Sequence, residues 1–198
     1  MTADSIRWAV GRLAEKLVPR AGELNELDAA VGDGDLGVTL TRAAEGLARD
    51  LPQLPDDVGM ALLRCAQSVS RTSSGTYGTI LATGLMAAAK ATKGRVLVPW
   101  AEISALLGGA LKSISQRSQG QLGDKTVLDA IEAARRATEG LDNPTVMVAA
   151  ADRAIAASID QFRNLPFRQG RARIFGSKSI GRDDPGMIAF KRIIECFL

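Results

Sequence analysis

Three carboxylates stand close together in the segment ELDAAVGDGDLG: Asp28, then Asp33 and Asp35 on either side of Gly34. Asp28 lies a little more than one helical turn upstream of the pair, and the residues between carry almost no bulk. Carboxylates forced together repel one another unless a cation neutralises them. The segment therefore reads as a divalent-metal site. The chain contains no histidine, which removes the commonest general base, the commonest transition-metal ligand and any phosphohistidine. A metal here must use oxygen or the two thiols, and carboxylate oxygens favour a hard ion such as magnesium, calcium or manganese. The competing reading is an acidic turn in which Asp33 and Asp35 cap a helix starting near Val38 while Asp28 is solvated. Capping needs one carboxylate, not three.

Familiar motifs do not account for the segment. Gly32, Gly34 and Gly37 satisfy G-x-G-x-x-G, but they follow a helix-like run, and the two aspartates would repel a pyrophosphate laid against bare backbone. An EF-hand starting at Asp33 needs glycine and glutamate where the chain has Val38 and Ala44. GQLGDKT has the wrong glycine spacing for a P-loop. Other loops suit an anion. Ser73, Ser74 and Thr76 surround Gly75 just before an apolar helix, the composition of a helix N-terminus that holds phosphate and equally of an ordinary cap. Lys125 and Thr126 open another helix, and Gly170-Arg171 offers a cation that, with Lys125, would balance a metal-bridged phosphate chain. Asp183-Asp184-Pro185-Gly186 taken alone is a turn with proline in the first turn of the last helix.

The elements that carry these loops are helices. In 4–18 the apolar residues Ile6, Val10, Leu13 and Leu17 recur at helical spacing, with Asp4 available as a cap and Pro19 as a stop. GELNELDAAV runs into the aspartate cluster and TLTRAAEGLARDL resumes beyond it; further helical patterns are DVGMALLRCAQSV, TILATGLMAAAKAT, PWAEISALLGGALKSIS, TVLDAIEAARRATEG, NPTVMVAAADRAIAASIDQF and PGMIAFKRIIECFL. Strand patterns are nearly absent. An all-α bundle of about eight helices follows, with a core of Ala, Leu, Ile and Val, since aromatics make up only 4%. If the helices run up and down, alternate loops share one end, and the functional face is a rim of loops.

At 198 residues and 46% hydrophobic content, one domain spanning 1–198 is expected, without linker or repeat. A net charge of +3 from 25 basic and 22 acidic residues does not suggest nucleic-acid binding. The run from Arg163 through Arg168, Arg171, Arg173 and Lys178 to Arg182 suits an anionic ligand or is a solvated basic loop. Cys65 and Cys196 are far apart in apolar surroundings and no signal peptide is recognised, so a cytoplasmic protein with reduced thiols is expected. No apolar stretch approaches the roughly 18 residues that span a bilayer, and no membrane association is expected.

In order along the chain, LDAAVGDGDLG, SSGTYGT, GDKTVLDAI and GRARIFGSKSIGRDDPG resemble the four landmarks of the nucleotide-binding subunit of dihydroxyacetone kinases, the DhaL family. The resemblance covers the chain from about Asp4 onward. It implies a barrel of eight antiparallel helices with ADP or ATP and two magnesium ions at one rim. It implies Asp28, Asp33 and Asp35 as metal ligands, and Leu36, Gly37, Val38 and Thr39 as phosphate and base contacts at the start of the next helix. Ser73 and Ser74 fall on phosphate contacts, and Gly120, Thr126 and Val127 near nucleotide contacts. Arg171 matches the catalytic arginine beside the phosphates, and Asp184, Pro185 and Gly186 match the closing nucleotide contacts. Two departures stand out: Leu36 replaces the family's usual histidine, and the second loop lacks its double glycine. The implied partner is a separate subunit that holds a small ketose on a histidine. The resemblance also admits a phosphohistidine protein that recharges bound ADP, and a homodimer. A nucleotide-sensing regulatory partner without turnover is the alternative, and a stand-alone metal-dependent phosphatase a third class.

Overall fold

A computed structural model describes residues 1–73 and 75–198; the side chain of Arg171 lies outside the described set, as does Ser74. Among the described residues there are nine α-helices and no strand, so the all-α expectation holds with one helix more than the approximate count. They are α1 (Ala3–Lys16), α2 (Ala21–Ala29), α3 (Leu36–Asp50), α4 (Val58–Thr72), α5 (Thr76–Thr92), α6 (Ile103–Ser118), α7 (Val127–Ala137), α8 (Pro144–Arg163) and α9 (Pro185–Glu195). Most start where a short polar side chain can take up an orphan N–H of the first turn. Thr2 serves α1 in a capping box with Ser5, so Asp4 sits inside the first turn instead of capping it. Asp57 accepts from Met60 N at 2.7 Å, and Asn143 accepts from Thr145 N and Val146 N with Pro144 in the first turn of α8.

Packing follows the chain around a closed circuit. Helix α3 lies on α4, α4 on α5, α5 on α6 and α6 on α7; α7 then meets α9, α9 meets α2, and α2 returns to α3. Helix α1 packs against α3 and α4, and α8 against α7 and α9. One apolar cluster joins α1, α3, α4 and α5 through Ile6, Val10, Leu47, Val58, Val69 and Ala82, and a second joins α2, α3, α7 and α9 through Leu24, Leu36, Leu40, Leu128 and Ala189. The seam between α2 and α9 also carries ions: Arg192 binds Glu23 of α2 and Glu195 of its own helix, and Arg20 binds Glu195. An apolar cavity of about 660 Å³ remains between the helices. Among the described residues no charged side chain lines it, and Asp28, Asp33 and Asp35 lie elsewhere. No helix among the described residues is long and apolar enough to cross a membrane.

Candidate functional site

Helix α2 delivers Asp28 in its last turn, where the carbonyl of Asp28 accepts from Val31 N at 3.0 Å and Gly32 N at 2.6 Å. The chain then reverses through Gly34, whose φ of +75° suits glycine alone without strain. The Asp35 N–H donates to Asp28 Oδ2 at 3.0 Å and pins the reversal. One carboxylate oxygen from each of Asp28, Asp33 and Asp35 lies within 4.8 Å of the others. Burial pushes the Asp28 carboxyl above its usual range, and the charge of Asp33 adds to this against the opposing N–H groups of Gly34, Asp35 and Leu36. An all-oxygen set of three carboxylates, one of them disfavoured as a bare anion, matches a hard dication.

The capping alternative does not hold for Asp35. Asp35 occupies the N-cap position of α3, yet its side chain makes no capping bond. The cap comes from Asn25 on α2, whose Oδ1 accepts from Gly37 N at 2.8 Å and Val38 N at 3.2 Å. The two helices meet so closely that a Cβ on Gly37 would stand 2.0 Å from the Ala21 carbonyl oxygen. Asn25, one turn before Asp28 on the same helix, was missed by sequence reasoning; its only signal was that i, i+3 placement.

The start of α3 thus divides its predicted duties. Two of its N–H groups are taken by Asn25. Leu36 is 6% exposed and packs in the second core cluster, which gives a structural reason for an apolar residue at that position and leaves the three carboxylates in place. Its N–H faces Asp28. Val38 is exposed and Thr39 buried.

The other loops named from the sequence approach α3, one another and, through Arg182, the aspartate loop. A Cβ on Gly75, the N-cap of α5, would lie 4.0 Å from the Thr39 hydroxyl. Ser73 is buried, and its hydroxyl donates back to Val69 O at 2.7 Å. Ser74 lies outside the described residues. Tyr77 in the first turn of α5 donates to Gly186 O at 3.1 Å, and a Cβ on Gly186 would lie 3.6 Å from Val127 Cβ. Thr126 caps α7 by accepting from Leu128 N at 3.2 Å, while Asp129 accepts from Thr126 N and Gly123 N. Gly120 is buried against Leu128 and Gln169. Asp184 caps α9 through Met187 N at 2.8 Å, Pro185 is buried behind it, and Arg182 donates to Ala30 O at 3.3 Å beside the aspartates. Loss of hydration pushes the Asp184 carboxyl up to about 7 against the pull of the Met187 N–H. Burial likewise raises the Tyr77 phenol, with Asp184 adding to it, so Tyr77 is a neutral donor.

The sequence profile of the DAK2 domain matches residues 30–198. The chain belongs to the DAK2 domain family. The PEP-dependent dihydroxyacetone kinase, ADP-binding subunit DhaL, of Escherichia coli (strain K12) is 29% identical over 169 residues, covering 82% of this chain and 80% of that one. The Triokinase/FMN cyclase of Mus musculus is 28% identical over 210 residues, covering all of this chain but 35% of that protein. Among solved structures, the dihydroxyacetone kinase from C. freundii in complex with AMP-PNP and Mg2+ superposes with a TM-score of 0.75 at 24% identity over 98% of this chain and 33% of that one. That likeness shows a shared fold.

Within this DAK2 domain two sequence expectations change. Lys125 does not face the aspartates as a free cation. It is 1% exposed, and its Nζ donates to the carbonyls of Leu165 at 2.7 Å, Arg163 at 3.2 Å and Ser179 at 3.4 Å. The basic run is not uniformly solvated either: Arg163 pairs in a bidentate manner with Asp183 at 2.7 and 3.0 Å. Arg171 opens a 3-10 stretch, Arg171–Ser179, directly after Gly170. A cleft of about 460 Å³ between α5 and α6 begins at Gly75 and Thr76, with Ile80 and Ile114 in its lining and Thr79, Arg117 and Ser118 offering polar groups. Arg117 had no signal in the sequence, because the cleft exists only once α5 and α6 are paired.

Proposed function

We propose that this DAK2 domain binds ADP or ATP with magnesium and serves as the nucleotide-binding part of a dihydroxyacetone-type kinase, passing a phosphoryl group to a small ketose. The observation that carries the reading is the set of three aspartate oxygens within 4.8 Å of one another, in a chain whose relatives include an ADP-binding subunit of such a kinase. The chain spans only 35% of the triokinase relative, and a histidine-bearing ketose-binding subunit is the proposed partner that supplies the acceptor site. This chain has no histidine to hold the ketose itself.

Asp28, Asp33 and Asp35 would hold two magnesium ions, which when bound neutralise charge on the β- and γ-phosphate oxygens. The remaining work falls to the chain. Thr76 and the N-terminus of α5 face the phosphates, the α5–α6 cleft takes the base, and Leu36, Gly37, Val38, Thr39, Ser73, Ser74, Gly120, Thr126, Val127, Asp184, Pro185 and Gly186 complete the nucleotide surround. Arg171 is assigned the charge that grows on the transferred group. Residues 1–198 act as one domain in the cytoplasm in this reading. A phosphohistidine donor and a homodimer remain compatible partners; the PEP-dependent name of the Escherichia coli relative supports the donor.

Calorimetry tests the binding step. Asp33→Ala abolishes ADP binding in magnesium, because the remaining carboxylates then repel the phosphates; an unchanged affinity would overturn the assignment. Turnover tests the transfer step: dihydroxyacetone is phosphorylated only when a histidine-bearing subunit is added. Nucleotide binding without turnover for any ketose and any such subunit would favour a sensor instead.

A further inference from the structure

Among the described residues Lys125 is the largest fully buried side chain, and the proposed chemistry makes no use of it. A lysine on a helix-start loop ordinarily keeps its ammonium in water. Here the backbone places it inward with φ +62°, a conformation that costs a non-glycine residue energy. An ammonium has three donors and no acceptor, and Nζ meets three carbonyl oxygens, those of Arg163, Leu165 and Ser179. The Phe167 ring lies 4.4 Å away on the cation. Among the described residues Lys125 forms no ion pair; Asp183 and Asp184 act on it only through space.

The identity of the three carbonyls matters. One ends α8, one opens the loop between α8 and α9, and the third stands on the far side of that loop. The same base is closed by Gly181 N on Arg163 O at 2.8 Å and by Phe167 N on Ser179 Oγ at 3.0 Å. Beyond this base the loop carries Arg168, Arg171, Arg173 and Lys178. It touches the rest of the molecule through Arg168 N on Asp124 O and Gln169 Nε2 on Ser118 O. Lys125 itself immediately precedes Thr126 and Val127, which start α7 at the site.

We propose that Lys125 is a positioning residue whose ammonium acts as an internal cation, closing the base of the 164–180 loop on the start of α7. It thereby sets where the basic residues of the loop stand relative to phosphates at the aspartate cluster. The second half of this inference rests on the proposed nucleotide function; the first half does not.

The test is Lys125→Met in the full chain, which keeps the apolar stem and removes the donors. Three quantities are read: tryptic cleavage of the folded protein after Arg168, Arg173 and Lys178, ADP affinity in magnesium, and Mn2+ affinity without nucleotide. Cleavage is expected to accelerate and ADP affinity to fall by about tenfold, the scale of supporting residues around bound groups, while Mn2+ affinity is unchanged. General destabilisation would weaken both ligands together, so loss of Mn2+ affinity in parallel overturns the proposal. Unchanged cleavage also overturns it, as does faster cleavage with ADP affinity intact. If the wild-type chain binds no ADP, the proposed function fails, and cleavage alone decides whether Lys125 closes the loop. Ser179→Ala, which removes the bonds to Phe167 N and Gly176 O at the same base with little change in volume, is expected to move cleavage and ADP affinity the same way by less. It keeps the inference open to refutation if Lys125→Met does not fold.

Discussion

Asn25→Ala separates what holds the site together from what binds at it. In the wild type Asn25 Oδ1 accepts both Gly37 N and Val38 N, joining α2 to the first turn of α3. Alanine removes that acceptor. Val38 is exposed, so water replaces the lost bond there, whereas Gly37 is buried and its N–H is left poorly satisfied. Loss of a helix cap costs about 1 kcal/mol, and a partly unsatisfied buried donor adds up to roughly as much again, for about 1–2 kcal/mol in all. For a chain of this size that is a melting point lower by about 3–6 °C. Nucleotide binding should not fall with it. The two N–H groups are occupied in the wild type, so freeing them gives an anion two more donors at a helix N-terminus. Asn25→Asp is the counterpart: it keeps an acceptor for the cap and restores stability, but adds a fourth carboxylate one turn from Asp28 and weakens ADP binding. Thermal melts and calorimetry on both variants decide the matter. An unchanged melting point in Asn25→Ala, or a loss of ADP affinity comparable to that of Asp33→Ala, would refute the reasoning.

Two further outcomes follow from packing and from charge. Gly37→Ala puts a methyl group 2.0 Å from Ala21 O, forcing α2 and α3 apart. Urea unfolding should show a loss of about 1–3 kcal/mol or more at unchanged m, and an unaltered midpoint would mean that the helices part freely. Asp184 holds its proton up to about 7, well above the ordinary carboxylate range, so between about pH 4 and pH 7 the unfolded chain ionises here before the folded one does. Stability therefore declines as pH rises through that window. Asp184→Asn retains an oxygen acceptor for Met187 N and removes the titration. Without metal or nucleotide it should melt above the wild type at pH 8, with the gap closing near pH 4. Parallel pH profiles for the two proteins would disprove this.

Much of this molecule was legible along the chain. Apolar spacing located every helix, because helical periodicity is a property of neighbours three and four residues apart. Asp28, Asp33 and Asp35 could be grouped for the same reason: a helix end and a glycine turn bring them together without help from distant segments. The caps at Thr126 and Asp184 are equally local. Distant contacts decided the rest. Leu36 looked like a missing polar contact until the α2–α3–α9 core enclosed it, and Lys125 looked like a phosphate ligand until the loop between α8 and α9 folded its carbonyls over the ammonium. Asn25 became a cap because Gly37 lets α3 approach α2. A side chain's type limits the bonds it can make, but which of them it makes depends on what the packed helices bring within about 3 Å.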